Sequence, residues 1–178
     1  MNILIIILCI IGGLIALFLI IAFFTKRDIA VEKTILINRP KQEVFDYIKY
    51  LKNQEYYSIW VMKDPNIKLV YTGTDGAVGG TSSWSSNDKG VGVGAQEIKQ
   101  ITDGERIYTE LRFEKPFKAT NYATMTTTNE GAQTKVSMLF TGHSKFPMNF
   151  MNLFMDKLIG KDMDKNLHNL KNKLEATN

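Results

Sequence analysis

The sequence predicts an α+β protein in which a curved antiparallel sheet of about seven strands wraps around a long C-terminal helix, preceded by one transmembrane helix. Three observations predict this fold class. An uncharged apolar run extends from Ile3 to Phe24, short β-rich runs separated by turn residues fill the middle of the chain, and apolar residues recur at helical spacing from Pro147 to Glu175. Because the middle connections are short, the strands they join are expected to be antiparallel neighbours.

The N-terminal apolar run has about 22 residues, enough to cross a bilayer core of roughly 30 Å. A cleaved signal peptide is the competing interpretation, but no basic residue precedes the run and no small-residue cleavage pattern ends it. Lys26 and Arg27 follow it, so the positive-inside tendency places the C-terminal part in the cytoplasm. Gly12 and Ala16 have a spacing through which two anchors can pack as a homodimer, although this spacing more often arises by chance. We expect residues 1–27 to form a transmembrane anchor with a basic flank.

Residues 28–178 are expected to form one domain, because they contain no internal repeat and no low-complexity linker. The domain begins with a strand from Ile29 to Asn38, a helix that Pro40 opens, and a less regular segment from Asn53 to Trp60. Six strands separated by glycine-containing turn signals follow. Their predicted bounds are Ile67–Thr72, Gly80–Ser86, Val93–Ile101, Ile107–Phe113, Ala119–Thr128 and Thr134–Gly142.

The stretch from Pro147 to Glu175 is predicted to be one long amphipathic helix, because its apolar residues recur at steps of three and four. Pro147 suits the first turn of a helix. The front half, from Met148 to Met155, is crowded with methionine and phenylalanine, and methionine adapts to irregular space and variable partners. This half either packs as ordinary core against the sheet or also lines a cavity for an apolar ligand.

Composition argues against several classes of function. The chain has 22 Lys and Arg against 18 Asp and Glu, a mild formal charge of +4, and it lacks the basic patch expected of a nucleic-acid binder. Cys9 is the single cysteine, which excludes an internal disulfide and a cysteine-based metal site. Because His143 and His168 are the only imidazoles, we expect no metal and no cofactor. The glycines of 76–80 and 90–94 lead into strands, which favours turns and bulges over a phosphate site.

Three side chains are candidates for acid–base chemistry. Tyr108 and Glu110 lie on the polar face of the strand Ile107–Phe113, and alternation turns this face toward solvent. A local reversal of register would bring them into a pocket, where a buried carboxyl can donate a proton. His143 lies beside Ser144 between the last strand and the helix, but adjacent residues rarely present both side chains to one point, which favours a turn.

Aromatic side chains are the remaining candidates for a binding site. Trp84 is an isolated large ring in a serine-rich strand, and it either plugs the core or forms a ligand wall with Trp60 and Tyr122. An aromatic wall with a few hydroxyls suits an apolar ligand that has one polar end. The candidate ligand-binding residues are Trp60, Trp84, Tyr122, Phe150, Met151, Phe154, Met155 and Leu158.

The segment from Ile37 to Trp60, with Asn38-Arg39-Pro40 and Val44-Phe45, resembles the opening of the START-like or SRPBCC superfamily, in particular its polyketide cyclase/dehydrase and lipid-transport branch. The glycine run 90–94, the turn 114–117 and the end from Met155 to Leu170 are similar to that branch too. The resemblance covers residues 29–174 and implies a helix-grip fold with a hydrophobic cavity between the curved sheet and the C-terminal helix. Members of the superfamily bind lipids, sterols, polyketides or other apolar molecules, and some catalyse cyclisation or dehydration.

These observations support three hypotheses for the function. The first is a membrane-anchored domain that binds a lipid or other hydrophobic small molecule in the cavity. The second is a cyclase or dehydratase that acts on an apolar, polyketide-like substrate, with Tyr108, Glu110 or His143 as acid or base. The third is a non-catalytic scaffold in a membrane complex, with a fully packed interior. The sequence favours binding and leaves turnover open, with a hydrophobic small molecule and the membrane as partners and no nucleic acid.

Overall fold

One antiparallel sheet of seven strands organises the chain in the computed structural model, which describes residues 3–176. Residues 1, 2, 177 and 178 belong to the two regions predicted above and lie outside the described residues. The helices are α1 (Ile3–Phe24), α2 (Lys41–Ile48), α3 (Ile59–Met62) and α4 (Lys161–Glu175), and the strands are β1 (Asp28–Ile37), β2 (Lys68–Thr72), β3 (Thr81–Ser85), β4 (Val93–Thr102), β5 (Arg106–Lys115), β6 (Ala119–Glu130) and β7 (Gln133–His143). Short 3-10 helices cover Leu51–Tyr56 and Met148–Phe154, and a π-helical turn covers Asp156–Gly160.

The sheet has the strand order β1-β7-β6-β5-β4-β3-β2, so the six consecutive strands β2 to β7 form the predicted meander. β1 is the edge strand next to β7, and the two pair in antiparallel register from Asp28 opposite His143 to Ile37 opposite Thr134. Gly104 and Gly131 make the turns before β5 and β7 with φ angles of +68° and +66°, which a residue without a Cβ adopts at little cost. The predicted fold class is confirmed.

The core lies between one face of the sheet and the helices α2 and α4. Phe45 from α2, Leu170 from α4 and Val136 from β7 are fully buried. Removing a side chain of this size from water contributes about 1.5–3 kcal/mol of transfer free energy. The apolar face of α4 is thus held against the sheet along its length, as the spacing in the sequence predicted.

The front half of the C-terminal stretch differs from the prediction of one regular helix. A 3-10 helix and a π-helical turn precede α4, which begins only at Lys161. The ammonium of Lys33 on β1 lies 3.0 Å from the carboxylate of Asp156, and its stem crosses Gly160 so closely that a Cβ there would lie 2.7 Å from Lys33 Cε. The amide of Asn149 is bound by carbonyls at the end of α1. These tertiary contacts accompany the change of helical pitch, which local periodicity does not encode.

The helix α1 is long and apolar enough to cross a membrane. Most of its side chains are exposed, and it meets the rest of the chain near its C-terminal end. There Ala22 is buried and the ring of Phe18 packs edge-on against the ring of Phe150 at a centroid distance of 5.0 Å. The domain therefore begins directly beside the end of this helix.

Candidate ligand-binding cavity

A cavity of about 310 Å³ lies between the inner face of the sheet and the helices. Its size is at the lower end of the range of small-molecule pockets, about 300–1,000 Å³. Apolar and aromatic side chains form most of its wall. The lining residues are Ile48, Leu51, Gln54, Tyr57, Ser58, Trp60, Val61, Ile67, Leu69, Ser82, Trp84, Gly90, Val91, Gln96, Ile107, Thr109, Leu111, Phe113, Ala123, Met125, Met138, Phe140, Ile159, Met163 and Asn166.

The sheet side of the wall follows from strand alternation. Ile107, Thr109, Leu111 and Phe113 of β5 all line the cavity, as the alternating pattern predicted for one face of this strand. The neighbouring strand β6 contributes Ala123, which lies directly opposite Thr109 in the register. The wall is therefore a row of side chains from adjacent strands.

The helical side of the wall has two parts. One part comes from residues 48–61, where Leu51, Tyr57 and Trp60 face the cavity. The other comes from the C-terminal stretch, through Ile159 and Met163. The sequence predicted only the second part as a cover for the sheet. The first part is placed by tertiary contacts, including a hydrogen bond of 2.7 Å from the Ile59 backbone N–H to Asn166 Oδ1.

Two of the predicted ligand-binding residues, Trp60 and Trp84, lie on the cavity wall. The indole N–H of Trp84 donates to the carbonyl oxygen of Val91 at 3.3 Å, and its ring packs edge-on against Phe113 at a centroid distance of 5.7 Å. Across the sheet, Gly94 leaves room for this ring, because a Cβ there would lie 2.5 Å from the indole. The strand β4 thus accommodates a large aromatic side chain on the wall.

The other predicted residues lie elsewhere. Tyr122 projects from the outer face of the sheet and stacks on Tyr108 at a centroid distance of 5.4 Å, because it is one position out of phase with Ala123. Met155 packs at the edge of the core and lines a groove beside α1. The remaining residues lie outside the cavity wall, near the end of α1 or exposed on the adjoining surface: Phe150, Met151, Phe154 and Leu158.

The three acid–base candidates also lie outside the cavity. Glu110 pairs with Arg112, whose guanidinium also lies 2.9 Å from Glu97 Oε2 on the outer face. Hydrogen bonds from Lys99 and Arg112 hold the pKa of Glu97 below its usual value, so this outer network is charged at neutral pH. His143 is exposed, with Nδ1 2.8 Å from Asp28 Oδ1 across the β1–β7 pair. Tyr108 is on the outer face with Tyr122, as alternation predicted.

The polar groups on the wall are few and uncharged. Gln54 and Gln96 bind each other through their side-chain amides, with N–O distances of 3.3 and 2.7 Å. Ser82 lies opposite Gln96 in the β3–β4 register, and the two share the inner face. The hydroxyl of Thr109 donates to the Ala123 carbonyl at 3.2 Å. No Asp, Glu, His, Lys or Arg occurs among the lining residues within 3–176, and no cluster in that range could hold a metal ion.

Tyr57 supplies the most deeply buried hydroxyl on the wall. The residue is 1% exposed, and its Oη lies 4.0 Å from the thioether sulfur of Met125, a weak acceptor. Burial raises the pKa of the Tyr57 phenol well above its ordinary value. The group therefore stays neutral at physiological pH and can donate a hydrogen bond to a bound molecule.

A loop between β3 and β4 borders the cavity with Gly90 and Val91. Asp88 in this loop accepts a hydrogen bond of 2.9 Å from the ammonium of Lys63. Asp64 accepts one from the hydroxyl of Ser86. These contacts lower the pKa values of both carboxyls. They tie the loop to the chain that follows α3, so the ionised carboxylates hold this side of the cavity together.

Sequence reasoning missed most of the wall residues, although a usable signal existed for some. The inward set of β5 was recognised as one face, and the same alternation applied to β6 and β7 points to Ala123 and Phe140. No local pattern marks Gln54 as a partner of Gln96, because the two are 42 positions apart in sequence. Their pairing depends on how the first helices pack over the sheet.

Comparisons with known proteins agree with this architecture. The profile of the family described as polyketide cyclase / dehydrase and lipid transport matches residues 28–175. A comparison with curated protein sequences finds no match.

Similar solved structures include protein MLL2253 from Mesorhizobium loti, with 17% identity and a TM-score of 0.59 over 85% of this chain and 99% of that chain. Ara h 8.0201 has 11% identity and a TM-score of 0.58 over 84% and 99%. The Aha1 dimer from Colwellia psychrerythraea has 14% identity and a TM-score of 0.56 over 83% and 96%. Identities this low show the shared fold alone.

Proposed function

The chain belongs to the polyketide cyclase/dehydrase and lipid-transport family, of the SRPBCC type, and from this premise we propose that it binds a neutral, largely apolar small molecule at a membrane. Residues 28–178 form the binding domain in this proposal, and residues 1–27 form its anchor. The observation that carries the proposal is the cavity of about 310 Å³ with an uncharged, mainly apolar wall.

The wall limits the chemistry of the ligand. A charged group placed in the cavity would lose its hydration without meeting a charged partner on the described wall, at a cost of several kcal/mol. A neutral ligand avoids this cost. The amides of Gln54 and Gln96 can exchange their mutual hydrogen bonds for bonds to one polar end of a ligand, while Tyr57 donates a further bond. A small neutral molecule of about two aromatic rings, with one polar end, fits this description, whereas a sterol or a diacyl lipid is larger than the cavity of about 310 Å³.

The membrane part of the proposal rests on the length and composition of α1. The helix rises about 33 Å over its 22 residues, which matches the hydrocarbon core of a bilayer. Lys26 and Arg27 at its C-terminal end favour the cytoplasmic side for the domain. A tethered domain of this kind takes up or presents a ligand at one membrane rather than diffusing between membranes.

No observation favours the alternative of a cyclase or dehydratase over binding. Such an enzyme needs an acid or base within reach of the bound substrate. Tyr108, Glu110 and His143 lie on the outer face or at the strand edge. Of the described wall residues, Tyr57 is the one with an ionisable side chain, and burial keeps its proton in place.

The test is native mass spectrometry of the full chain in detergent micelles after exposure to a total membrane lipid extract. We expect a retained neutral apolar mass that identifies the ligand class. In Ala123→Phe, a phenyl ring enters the cavity from β6 and should abolish retention. Ala95→Phe is the matched control, because Ala95 lies on β4 next to Gln96 and points to the opposite face.

Two outcomes would contradict the proposal. A ligand-free wild-type chain at high lipid excess would favour the scaffold hypothesis. Equal retention by Ala123→Phe and the wild type would mean that the retained molecule lies outside the cavity, on α1 or on the surface.

A further inference from the structure

The segment from Phe146 to Leu158, here called the apolar segment, exposes an unusual amount of apolar surface. Six of the thirteen large apolar side chains that are exposed outside α1 belong to it, counted over residues 3–176. Contiguous apolar patches are rare on freely soluble surfaces and mark sites of interaction. The six are Phe146, Met148, Met151, Leu153, Phe154 and Leu158.

The apolar segment is attached to the end of α1 by side-chain amides. Asn149 Nδ2 donates to the carbonyl oxygens of Ala22 and Thr25 at 2.6 and 2.8 Å. Asn152 Nδ2 donates to those of Lys26 and Arg27, both at 3.0 Å. The carbonyl of Ala22 belongs to the last turn of α1, where acceptors lack intrahelical donors, and the other three carbonyls belong to the residues that follow the helix. These four hydrogen bonds therefore fix the apolar segment to the C-terminal end of α1, and the position of that end determines the position of the segment.

The contact between Phe18 and Phe150 sets the depth of the segment. Phe18 lies six positions before Phe24, the last residue of α1, which corresponds to about 9 Å along the helix axis. If α1 crosses the bilayer, Phe150 lies that far inside the end of the span. Interfacial helices bury their apolar face about 5–10 Å into the boundary between head groups and acyl chains. The depth of Phe150 falls in this range.

A groove of about 610 Å³ between α1, β1 and the apolar segment lies at the same level. Its apolar wall includes Ile21 and Phe24 from α1, Ile29 from β1 and Leu153 from the segment. Its charged lining residues are Lys26, Asp28 and Asp156, and the two carboxylates have partners of their own in His143 and Lys33. At this depth in a bilayer, the groove would be surrounded by acyl chains and not by water. An acyl chain removes the apolar wall from water, while Lys26 lies where a head group would be.

We propose that the apolar segment is an interfacial membrane-docking element that inserts into the leaflet from which α1 emerges and holds the adjoining end of the domain against it. The proposal rests on the transmembrane insertion of α1 put forward above. The occupant is the lipid bilayer, because the segment packs directly against the end of the helix that is proposed to span it. Lys26, Arg27, Lys145 and Lys157 are exposed beside the apolar surface and favour anionic head groups.

The test measures the depth of single labels in the full chain, reconstituted into vesicles of phosphatidylcholine and phosphatidylglycerol. In a Cys9→Ala background, Met148→Cys and Met151→Cys place a fluorophore on the apolar segment. Leu17→Cys places it within α1, and Ala132→Cys places it on the exposed turn between β6 and β7. That turn lies at the far end of strands β1 and β7, about 30 Å along β1 from the end of α1.

Quenching by nitroxide lipids then reports contact with the bilayer. We expect nitroxides near the head group to quench the labels at positions 148 and 151 at least fivefold more than the label at position 132. We expect nitroxides on the upper part of the acyl chain to quench the label at position 17, which lies about 10 Å inside the end of α1. An increase in quenching at 148 and 151 with the fraction of anionic lipid would support the role of the basic flank.

Three results would overturn the docking proposal, and they are distinguishable. If the label at position 17 is quenched but those at 148 and 151 behave like the label at 132, the domain stands clear of the bilayer although α1 is inserted. If 148 and 151 are shielded from both lipid and aqueous quenchers and the chain cross-links as a dimer, a second copy covers the segment. If position 17 itself is not quenched, α1 does not span, and the membrane part of the proposed function fails while ligand retention is tested separately.

Discussion

The substitution Ala123→Phe tests whether the interior is a true cavity or a packed core. Ala123 lies on the inner face of β6, between Thr109 on β5 and Phe140 on β7 in the register. All three residues line the cavity. A larger side chain at this position must enter the cavity, because the two neighbouring strands flank it on either side.

The magnitude follows from the volume of the cavity. A phenyl ring is close in size to benzene, which fills an apolar cavity of about 150 Å³. The ring would therefore occupy about half of the 310 Å³. Filling an empty cavity commonly stabilises a protein by about 0.5–2 kcal/mol. For a chain of 178 residues, this range corresponds to a rise in Tm of about 1–8 °C.

The assay is thermal unfolding of the delipidated full chain in detergent, followed by tryptophan emission. Both tryptophans, Trp60 and Trp84, line the cavity, so the signal reports on its wall. Ala95→Phe adds the same ring to the outer face of the sheet and should change the unfolding free energy by less than about 0.5 kcal/mol.

The opposite sign would refute the reasoning. Overpacking a filled core costs about 1–3 kcal/mol, because side chains and backbone must shift to make room. If Ala123→Phe lowers Tm while Ala95→Phe leaves it unchanged, the interior has no space for a ring. The proposed ligand would then lack a place in the fold.

Three further predictions concern particular hydrogen bonds. Tyr57→Phe should lower the affinity for a ligand that accepts the phenol hydrogen bond about two- to tenfold in calorimetric titration, while the Tm stays unchanged. Equal affinity of the variant and the wild type would show that the phenol does not contact the ligand. Asn149→Ala removes a buried amide that donates to two carbonyls of the chain around the end of α1, and should lower the free energy of unfolding by about 1–3 kcal/mol. Asn152→Ala should lower it less, because its partners are exposed to water, and equal losses would contradict the role of burial. The pKa of Asp88 is lowered from its ordinary value of 3.8, so its contact with Lys63 contributes stability at neutral pH that is lost as pH falls through the lowered pKa. The rate of ligand release, followed by stopped flow, should therefore rise below about pH 4. The variant Asp88→Asn should release the ligand faster than the wild type already at neutral pH. A release rate that changes neither with pH nor with this substitution would exclude a role for the contact.

The strands and their faces could be predicted from sequence because alternation is a local property. Each residue of β5 points to the side opposite its neighbour, so Leu111 and Glu110 were assigned correctly without knowledge of the partner strands. The same rule, applied to β6, turns Tyr122 outward and Ala123 inward. Tyr122 was predicted to line the cavity because it is aromatic, and this prediction was wrong because strand alternation turns its side chain outward.

The position of the methionine- and phenylalanine-rich half of the C-terminal stretch could not be predicted in the same way. Periodicity shows that one face of a helix is apolar, but it does not identify what that face contacts. In the structure Phe150 packs against α1 and not into the cavity, while Ile159 and Met163 line the wall. The contact with Phe18 joins residues 132 positions apart, and no local pattern carries such information.

The sequence by itself determined the α+β class, the seven strands, the apolar N-terminal helix and the buried face of α4, because these depend on residue spacing and turn chemistry within short windows. Only the tertiary structure decided that residues 48–61 share in covering the sheet, that Gln54 meets Gln96, and that Asn149 binds the end of α1. These features arise from packing between distant segments. Their free energy depends on the shape of the whole domain, and so the wall of the cavity and the apolar surface beside α1 appear only when the chain is folded.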